Sequence, residues 1–288
     1  PPDSAVKLKD YDPRWKQGPR FEHFGKDAVK AKAHEVLEKN LEQLAAAQDV
    51  LYADGRFAVL VVFQAMDAAG KDGTIKHVMS GVNPQGCQVF SFKKPSAEEL
   101  QHNFLWRYMR SLPERGRIGI FNRSYYEDVL VVKVHPELLG RQHPRPGGKP
   151  GKRFWKRRYQ DINAFERHLV RTGTVVLKFF LHVSKDEQKR RFLERLDRPE
   201  KHWKFSPSDL AERGHWDAYQ SAYEDALSAT STKWAPWYVV PADYKWVTRA
   251  VVADLITATL HRLELKYPEV TAAQKGLLDE ARERLAAE

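Results

Sequence analysis

A loop that combines a lysine with two acids is the stretch of the sequence best suited to chemistry. Residues 63–73, FQAMDAAGKDG, overlap the end of the apolar run 56–63 and precede a segment with helical spacing. A strand, an AxxxxGKD loop and a helix predict a phosphate-binding loop, in which backbone amides and the side chain of Lys71 contact phosphate oxygens. The other residues predicted to bind phosphate or nucleotide here are Ala68, Ala69, Gly70, Asp72, Gly73 and Thr74. Alternatively, the segment is a strand-to-helix turn with an exposed lysine.

The two acids and one alanine depart from an ordinary phosphate loop. Asp67 would repel phosphate unless a cation lies between them, and Mg²⁺ binds carboxylate, phosphate and water oxygens together. Asp67 therefore predicts a metal, or alternatively it is a turn residue that bonds its own backbone. Asp72 stands where a hydroxyl is usual, and it is predicted to ligate the metal or to cap the helix. Ala65 replaces the first glycine and is tolerable if its φ is not positive.

A second polar segment, FNRSYYED at 121–128, follows another buried run. An Asp that holds magnesium is often found at the position of Asn122 in kinase folds of this type, so Asn122 is predicted as a weaker oxygen ligand of the metal. Arg123 is predicted to offset charge on a transferring phosphoryl group, or alternatively to form a structural ion pair. Glu127 and Asp128 are candidate nucleotide-site residues, although acids there also serve as partners of a helix dipole.

A third candidate segment is EQKRRFLERLDRPEKHWK at 187–204. Its spacing predicts an amphipathic helix that turns Phe192, Leu193 and Leu196 to the core and runs into a basic segment broken by proline. We interpret it as a lid whose basic side chains close over phosphates and exclude water, since a phosphotransferase that does not close hydrolyses its donor. A solvated helix is the alternative. The lid residues predicted to contact phosphate are Arg191, Arg195, Arg198 and Lys204.

Five apolar runs of strand length alternate with helical segments and must position these residues. Such alternation predicts an α/β fold with a parallel five-stranded sheet and helices on both faces. Ligands bind at the carboxyl ends of such strands, so the segments after the first, third and fourth runs are expected to meet in one crevice. The predicted strands are 56–63, 87–92, 117–121, 174–183 and 237–242. The predicted helices are 27–55, 73–82, 96–112 with Ser96 as cap, about 159–171, a long stretch before the fifth strand, and two after Tyr244.

Composition restricts the partners and the compartment. The net charge of +10 indicates a polyanionic partner, and residues 141–158 carry eight Lys or Arg and no acid. This run is either a solvated loop or an electrostatic guide for a long anion. Cys87 is the only cysteine, which excludes an intrachain disulfide and a multi-cysteine zinc site. No apolar stretch is long enough for a membrane span and no signal sequence is recognisable, so a soluble protein of the reducing cytoplasm is expected.

Several motifs in order resemble the polyphosphate kinase 2 family across roughly residues 60–250. They are MDAAGKDGTI, FNRSYYEDVL, EQxxRFxxR, WKFSPSD, WDAYQSAYEDAL and STKWAPWYVVPADYKWVTR. The resemblance implies a P-loop kinase core similar to thymidylate kinase with a helical lid. It also implies phosphoryl transfer between inorganic polyphosphate and adenine or guanine nucleotides with Mg²⁺, for which Mn²⁺ can substitute. A single domain is expected, with an N-terminal extension and helix at 1–55, core at 56–185 and 214–265, lid at about 186–213 and C-terminal helix at 270–288.

The resemblance also assigns roles. Asp67, Lys71 and Arg123 resemble the loop aspartate, the loop lysine and the arginine after the third strand. Arg191 and Arg195 resemble the lid arginines. Asn122 stands where much of the family has aspartate, a departure that resembles the subclass phosphorylating both nucleoside monophosphates and diphosphates. A dimer or tetramer is implied, with neither nucleic acid nor membrane as a partner.

Two other functions stay open from the residues themselves. One is an ATP-dependent nucleotide kinase on the same fold. The other is a non-catalytic module for polyanions or RNA, in which Trp155 and Tyr159 stack bases beside the basic run. The donor requirement separates the first from a polyphosphate enzyme. The second predicts RNA binding that survives loss of Asp67.

Overall fold

The computed structural model describes residues 2–16, 18, 23–142 and 150–288, and its centre is a parallel sheet. The strands are β1 (Ala58–Ala65), β2 (Cys87–Ser91), β3 (Ile118–Asn122), β4 (Thr174–His182) and β5 (Trp237–Pro241). Their order is β2-β3-β1-β4-β5, and every neighbouring pair is parallel. The predicted α/β class and the five strands are confirmed.

Burial explains why these runs form the middle of the sheet. Every residue of β1 and β3 is buried, as are the last seven of β4. A continuous apolar run can be covered on both faces, whereas an alternating one exposes half of its side chains. β1, β3 and β4 are the central strands, so their carboxyl ends lie together. The register sets Phe63 of β1 beside Asn122 of β3, and Asn122 beside Ser91 of β2.

Helices cover both faces of the sheet, as the right-handed crossovers of parallel strands require. On one face, α9 packs against α1 and α2; on the other, α5 packs against β4 and α8. The helices of the described residues are α1 (Lys26–Asp54), α2 (Lys71–Val78), α3 (Trp106–Met109), α4 (Val131–Val134), α5 (Lys152–Arg171), α6 (Lys185–Leu196), α7 (Pro207–Gly214), α8 (Trp216–Thr230), α9 (Lys245–His261) and α10 (Ala272–Ala286).

The long helix before β1 is confirmed, and it ends where glycine allows. Gly55 has φ of 64°, a left-handed conformation, and its amide bonds the carbonyl of Leu51. By contrast, α2 begins at Lys71, two residues before the predicted start. Helix α5 begins at Lys152, inside the basic run, and residues 143–149 of that run lie outside the described residues.

The predicted helix over 96–112 is wrong. The segment holds a 3₁₀ turn at Glu99–Gln101 and the short α3. Ser96 and Glu99 do exchange the expected capping bonds. The break comes at Asn103, whose side chain accepts from the amide of Leu105 and so offers the backbone an alternative to a continuous helix.

The predicted core face of the 187–204 segment is wrong in part. Phe192 is buried, but Leu193 and Leu196 are 51% and 43% exposed. Gln188 and Arg191 are buried in their place. The inward face of α6 therefore carries polar groups, because it packs on the polar loop after β1 and not on an apolar surface. In the described part of the chain, no helix is both long and apolar enough to cross a membrane.

Candidate active site

The loop after β1 has the backbone shape of a phosphate cradle. Ala68 and Gly70 have φ of 60° and 106°. Ala65 is the last residue of β1 and is not among the positive-φ residues, which explains how alanine can replace the usual glycine. Gly70 is the N-cap of α2 and has no side chain to satisfy the first-turn amides. Those amides are available to an anion.

Lys71 lies under this loop. It is 9% exposed, and its Nζ donates to the carbonyl of Ala65 at 2.9 Å. Burial lowers the pKa of Lys71, and the nearby positive charge of Arg123 lowers it further. The alternative of an exposed lysine is wrong. A buried ammonium with a lowered pKa is an unfavourable charge in the free protein, and phosphate oxygens would compensate it.

Asp67 and Arg123 form an ion pair across the carboxyl edge of the sheet. Nη2 of Arg123 donates to Oδ1 of Asp67 at 3.0 Å. Glu127 lies 4.0 Å from the same guanidinium, and its charge is the largest of the influences that raise the pKa of Arg123. Arg123 has φ of 65°, a strained conformation for a residue with a β-carbon. Strain of this kind persists where the surroundings hold the residue for a purpose.

A buried polar cluster holds the segment that follows Arg123. The hydroxyls of Tyr125 and Tyr126 donate to Oε1 of Glu166 at 2.9 and 2.7 Å. Lys178 donates to Oε2 of the same carboxylate at 2.6 Å, and both side chains of this ion pair are fully buried. The pair therefore ties α5 and β4 to the 3₁₀ turn at Tyr125–Val129, and so fixes the backbone next to Arg123.

Asn122 and Asp72 contact each other directly. Nδ2 of Asn122 donates to Oδ1 of Asp72 at 2.8 Å and lies 3.4 Å from the hydroxyl of Ser91. Lys204 lies 3.6 Å from the second oxygen of Asp72. Asp72 is the second residue of α2, and the N-cap is Gly70, so the helix-capping alternative for Asp72 is wrong. Its carboxylate faces the crevice instead.

Asp128 is not placed where the sequence predicted. It is 8% exposed, and it lies beside Arg158 of α5, whose Nη1 is 3.6 Å from its carboxylate. Burial raises the pKa of Asp128 to about 6, against the opposing charge of Arg158. Neither Asp128 nor Glu127 lines the large cavity described below. The predicted nucleotide contact of Asp128 is therefore not supported, because the side chain points into a buried contact with α5.

Arg191 fastens α6 to the phosphate loop. Its Nη1 donates to the carbonyls of Ala68 and Ala69 at 3.0 and 2.7 Å, and its Nη2 donates to the carbonyl of Ala242. Its Nε donates to Glu187 at 2.7 Å. Each guanidinium nitrogen thus has a protein acceptor. Arg191 thereby shapes the loop; it also lines the cavity described below, and its contact with phosphate stays a prediction.

We expect Arg191→Met to unfold more easily than the native protein, by about 3–5 kcal/mol, because it removes the buried partner of Glu187 and leaves the buried carbonyls of Ala69 and Ala242 without their donor. Chemical denaturation followed by circular dichroism measures this. The matched control is Arg190→Met, because Arg190 pairs with the same Glu187 from the exposed side of α6. Equal stability of the two variants would contradict the anchoring role.

The other lid candidates divide into two groups. Arg195 donates to Asp209 at 3.0 Å and to the carbonyl of Lys204, and both Arg195 and Lys204 line the cavity. Arg198 does not line it; its guanidinium is half exposed and pairs with Glu200. Arg195 and Lys204 are thus well placed for phosphate, and Arg198 is not.

One cavity of about 1030 Å³ brings these groups together at the carboxyl ends of the strands. Its lining contains every residue from Asp67 of the loop to Lys76 of α2, both Asn122 and Arg123, and residues of α6. The predicted convergence of the segments after β1, β3 and β4 is confirmed. Among the described residues, the lining has eleven Lys or Arg and four Asp or Glu. This excess of positive charge suits a ligand with several phosphates.

Several lining residues were not predicted from the sequence: Lys76, Ser91, Lys93, Lys94, Trp203, Lys245, Thr248 and Arg249. Arg249 of α9 is the most informative. Desolvation lowers the pKa of Arg249, and its Nε is buried without a hydrogen-bond partner in the described structure. Its Nη2 lies 3.9 Å from the place where a β-carbon on Gly73 would be. The sequence signal that was available is a basic residue in each of the first two turns of α9, Lys245 and Arg249.

Comparison with known proteins decides the family. The family model described as Polyphosphate kinase 2 (PPK2) matches residues 27–268. The chain belongs to the polyphosphate kinase 2 family. The predicted resemblance is confirmed, and the matched range includes the phosphate loop, the Asp67–Arg123 pair and α6 of this family member.

Curated relatives and solved structures agree with the family assignment. The chain is 57% identical to an ADP-polyphosphate phosphotransferase of Rhodopseudomonas palustris over 88% of this chain and 87% of the relative. It is 47% identical to an AMP/ADP-polyphosphate phosphotransferase of Meiothermus ruber over 97% of both. The crystal structure of polyphosphate kinase 2 from Arthrobacter aurescens TC1 superimposes with a TM-score of 0.84 at 41% identity, over 96% of this chain and 94% of that one. The polyphosphate kinase 2 fold, a P-loop kinase fold, extends over nearly the whole chain.

Proposed function

We propose that this family member transfers the terminal phosphoryl group of inorganic polyphosphate to nucleoside mono- and diphosphates, converting AMP to ADP and ADP to ATP reversibly. The names of the two relatives support a polyphosphate donor and an adenine nucleotide acceptor. The observation that carries the proposal is the geometry of the cavity, in which a phosphate loop and the Asp67–Arg123 pair lie among eleven basic side chains. Such a site suits two polyanions held end to end.

The residues present fit a Mg²⁺ ion. Asp67 and Asp72 offer carboxylate oxygens to the same cavity, and Asn122 offers an amide beside them. The described residues contain no cluster of three or more His, Cys, Asp or Glu side chains that would cage a metal. Magnesium is usually held by one or two carboxylates plus substrate phosphates, so a sparse oxygen set suits it. We assign Asp67 and Asn122 as its protein ligands, with Mn²⁺ as a substitute; when bound, the ion neutralises phosphate charge.

The chain's own residues then perform three tasks. The amides of the loop and the side chain of Lys71 hold phosphate groups at the amino end of α2. Arg123, fixed by its backbone and by Glu127, offsets the charge that spreads over the transferred group. Arg195 and Lys204 close the far side and keep water out. A phosphate oxygen is already ionised near neutral pH, so direct in-line attack needs no general base and no phosphorylated enzyme.

Acceptance of both AMP and ADP is the finer part of this proposal. One relative is named for ADP alone and the other for both nucleotides. Asn122 supports the broader specificity, because the corresponding departure from aspartate resembles the subclass that uses both. An amide at the end of β3 also adds less negative charge beside the acceptor than a carboxylate would.

We also propose α6, the 3₁₀ turn at Pro199–Lys204 and α7 as the lid of a single kinase domain. Their basic residues at the cavity, Arg195, Lys201 and Lys204, support this division. Arg191 would be its fixed end, because it is bonded to the phosphate loop. An oligomer of two or four chains in the cytoplasm completes the proposal.

The donor experiment tests the proposed function. With Mg²⁺, we expect purified protein to convert AMP to ADP and then to ATP when polyphosphate is the donor, with ATP as donor giving a much lower initial rate for AMP. Separating the nucleotides by ion-exchange chromatography measures both products in one reaction. A strict requirement for ATP would show an ordinary nucleotide kinase. Accumulation of ADP from AMP with no ATP would restrict the acceptor to monophosphates.

A further inference from the structure

A second basic recess lies away from the active-site cavity, on the outer surface of α5. It has a volume of about 470 Å³ and is formed by the last three turns of α5 and by Trp234, which precedes β5. We name it the α5 groove. Among the described residues, Arg167, His168 and Arg171 line it, and no acid does. It shares no lining residue with the active-site cavity.

The groove has a fixed arginine. The guanidinium of Arg167 lies over the ring of Trp234, 5.2 Å from its centre. Cation–π attraction holds a guanidinium over a ring, and the N–H groups that do not face the ring remain available to phosphate oxygens. Because the ring of Trp234 is already covered on this side, stacking of a nucleobase is less favoured here than contact with phosphate.

Helix α5 connects the groove to the active-site edge of the sheet. Its first half abuts the segment after Arg123, since Arg158 donates to the carbonyl of Asp128. Its end lies at the opposite edge, where the carbonyl of Gly173, just after the helix, accepts from the first residue of β1. Twenty helical residues span roughly 30 Å. The helix therefore runs along one face of the domain, from the carboxyl edge to the amino edge.

The exposed side of α5 carries basic side chains near both ends of that path. Lys156 and Arg157 are exposed in its first half, and Arg167, His168 and Arg171 are exposed in its second. Positions three and four apart share a helix face, so these side chains form two basic clusters, which are separated by Gln160, Asp161 and Ala164. Asp161 is the exposed acid of α5, and Glu166 is buried against Lys178. The two clusters thus place positive charge near the active-site edge of the sheet and, separately, at the groove.

We propose that the α5 groove is a second binding site for inorganic polyphosphate, which holds a part of the polyphosphate chain distant from the reacting end. This inference rests on the proposed function. A long polyanion that touches two basic sites gains affinity through the high effective concentration of its second segment, and it releases counterions at both. A short donor cannot span the length of α5 and would not use the groove.

The test is a charge-reversed variant, Arg167→Glu with Arg171→Glu. We expect its KM for long-chain polyphosphate to rise roughly tenfold, with a flatter dependence of that KM on salt. Its kcat, its KM for the nucleotide and its KM for tripolyphosphate should stay as in the native protein. The control is Lys30→Glu with Lys39→Glu, which makes the same charge change at exposed positions of α1, on the other face of the sheet.

Other results would overturn the inference. An unchanged KM for long chains would do so, as would an equal rise for tripolyphosphate or an equal rise in the control. If the charge-reversed variant loses affinity for an RNA oligonucleotide but keeps its KM for polyphosphate, the groove is a nucleic-acid surface. If the variant changes its mass in gel filtration but keeps that KM, the groove is a subunit contact. If the charge-reversed protein does not fold, Arg167→Gln with Arg171→Gln gives the same comparison. Native protein that uses no polyphosphate at all would refute the proposed function itself.

Discussion

Replacing Asp67 with asparagine is expected to lower kcat for phosphoryl transfer by about a hundred- to a thousandfold. The substitution keeps the shape of the side chain but removes the charge that we assign to the metal. It also removes the partner that orients Arg123, whose Nη2 is 3.0 Å from the carboxylate. Initial rates with polyphosphate and AMP or ADP, measured over a range of Mg²⁺ concentrations, give both kcat and the apparent metal affinity.

The fold should survive this change. The side chains of Asp67 and Arg123 are 33% and 41% exposed, so solvent screens their ion pair and its loss costs little stability. Asp186→Asn is the matched control, because it removes the same charge from an 86% exposed side chain in the first turn of α6. A variant at Asp67 with native kcat at saturating Mg²⁺ would contradict the proposed role. Native protein that binds RNA but transfers no phosphoryl group would also contradict it.

Replacing Lys71 with methionine is expected to lower kcat by about a thousandfold without lowering the free energy of unfolding. Burial lowers the pKa of Lys71 below its ordinary value of 10.5. A lysine whose folded pKa lies below its unfolded pKa reduces stability fully at pH values under both, and this penalty is relieved as pH rises between them. Neutral pH lies well below the ordinary pKa of lysine, so the native protein carries a penalty there, and methionine removes it.

This pairing of lost activity with retained stability identifies a residue kept for function. Thermal unfolding at pH 7 without ligands, beside the rate assay, measures both effects. Lys76→Met is the control, because Lys76 lies on the same helix and lines the same cavity but is exposed. A marked fall in melting temperature for Lys71→Met, or similar rates for the two variants, would show that Lys71 mainly supports the loop.

The sheet and the phosphate loop could be predicted because their signals are local. A continuous apolar run specifies a strand covered on both faces, and Gly70 and Lys71 immediately after it specify the turn into α2. Asn122 and Arg123 could be assigned to the same crevice for a general reason, since the carboxyl ends of parallel strands meet at one edge.

The parts that could not be predicted depend on contacts between distant residues. Arg191 looks like an exposed residue of an amphipathic helix, yet its acceptors Ala68 and Ala69 are more than a hundred positions away. Asp128 has the same polar character as Glu127, and only the docking of α5 buries it beside Arg158. Arg249 reaches the phosphate loop because α9 packs near α2, which no local pattern reveals.

A crystal structure with Mn²⁺, polyphosphate and a nucleotide, phased to locate the metal by its anomalous signal, tests the central claim most directly. The claim is that Asp67 exchanges part of its contact with Arg123 for a cation that bridges it to phosphate. The expected result is an anomalous peak about 2.1 Å from a carboxylate oxygen of Asp67 and within reach of a phosphate oxygen. A peak elsewhere, with Asp67 still bonded only to Arg123, would contradict it.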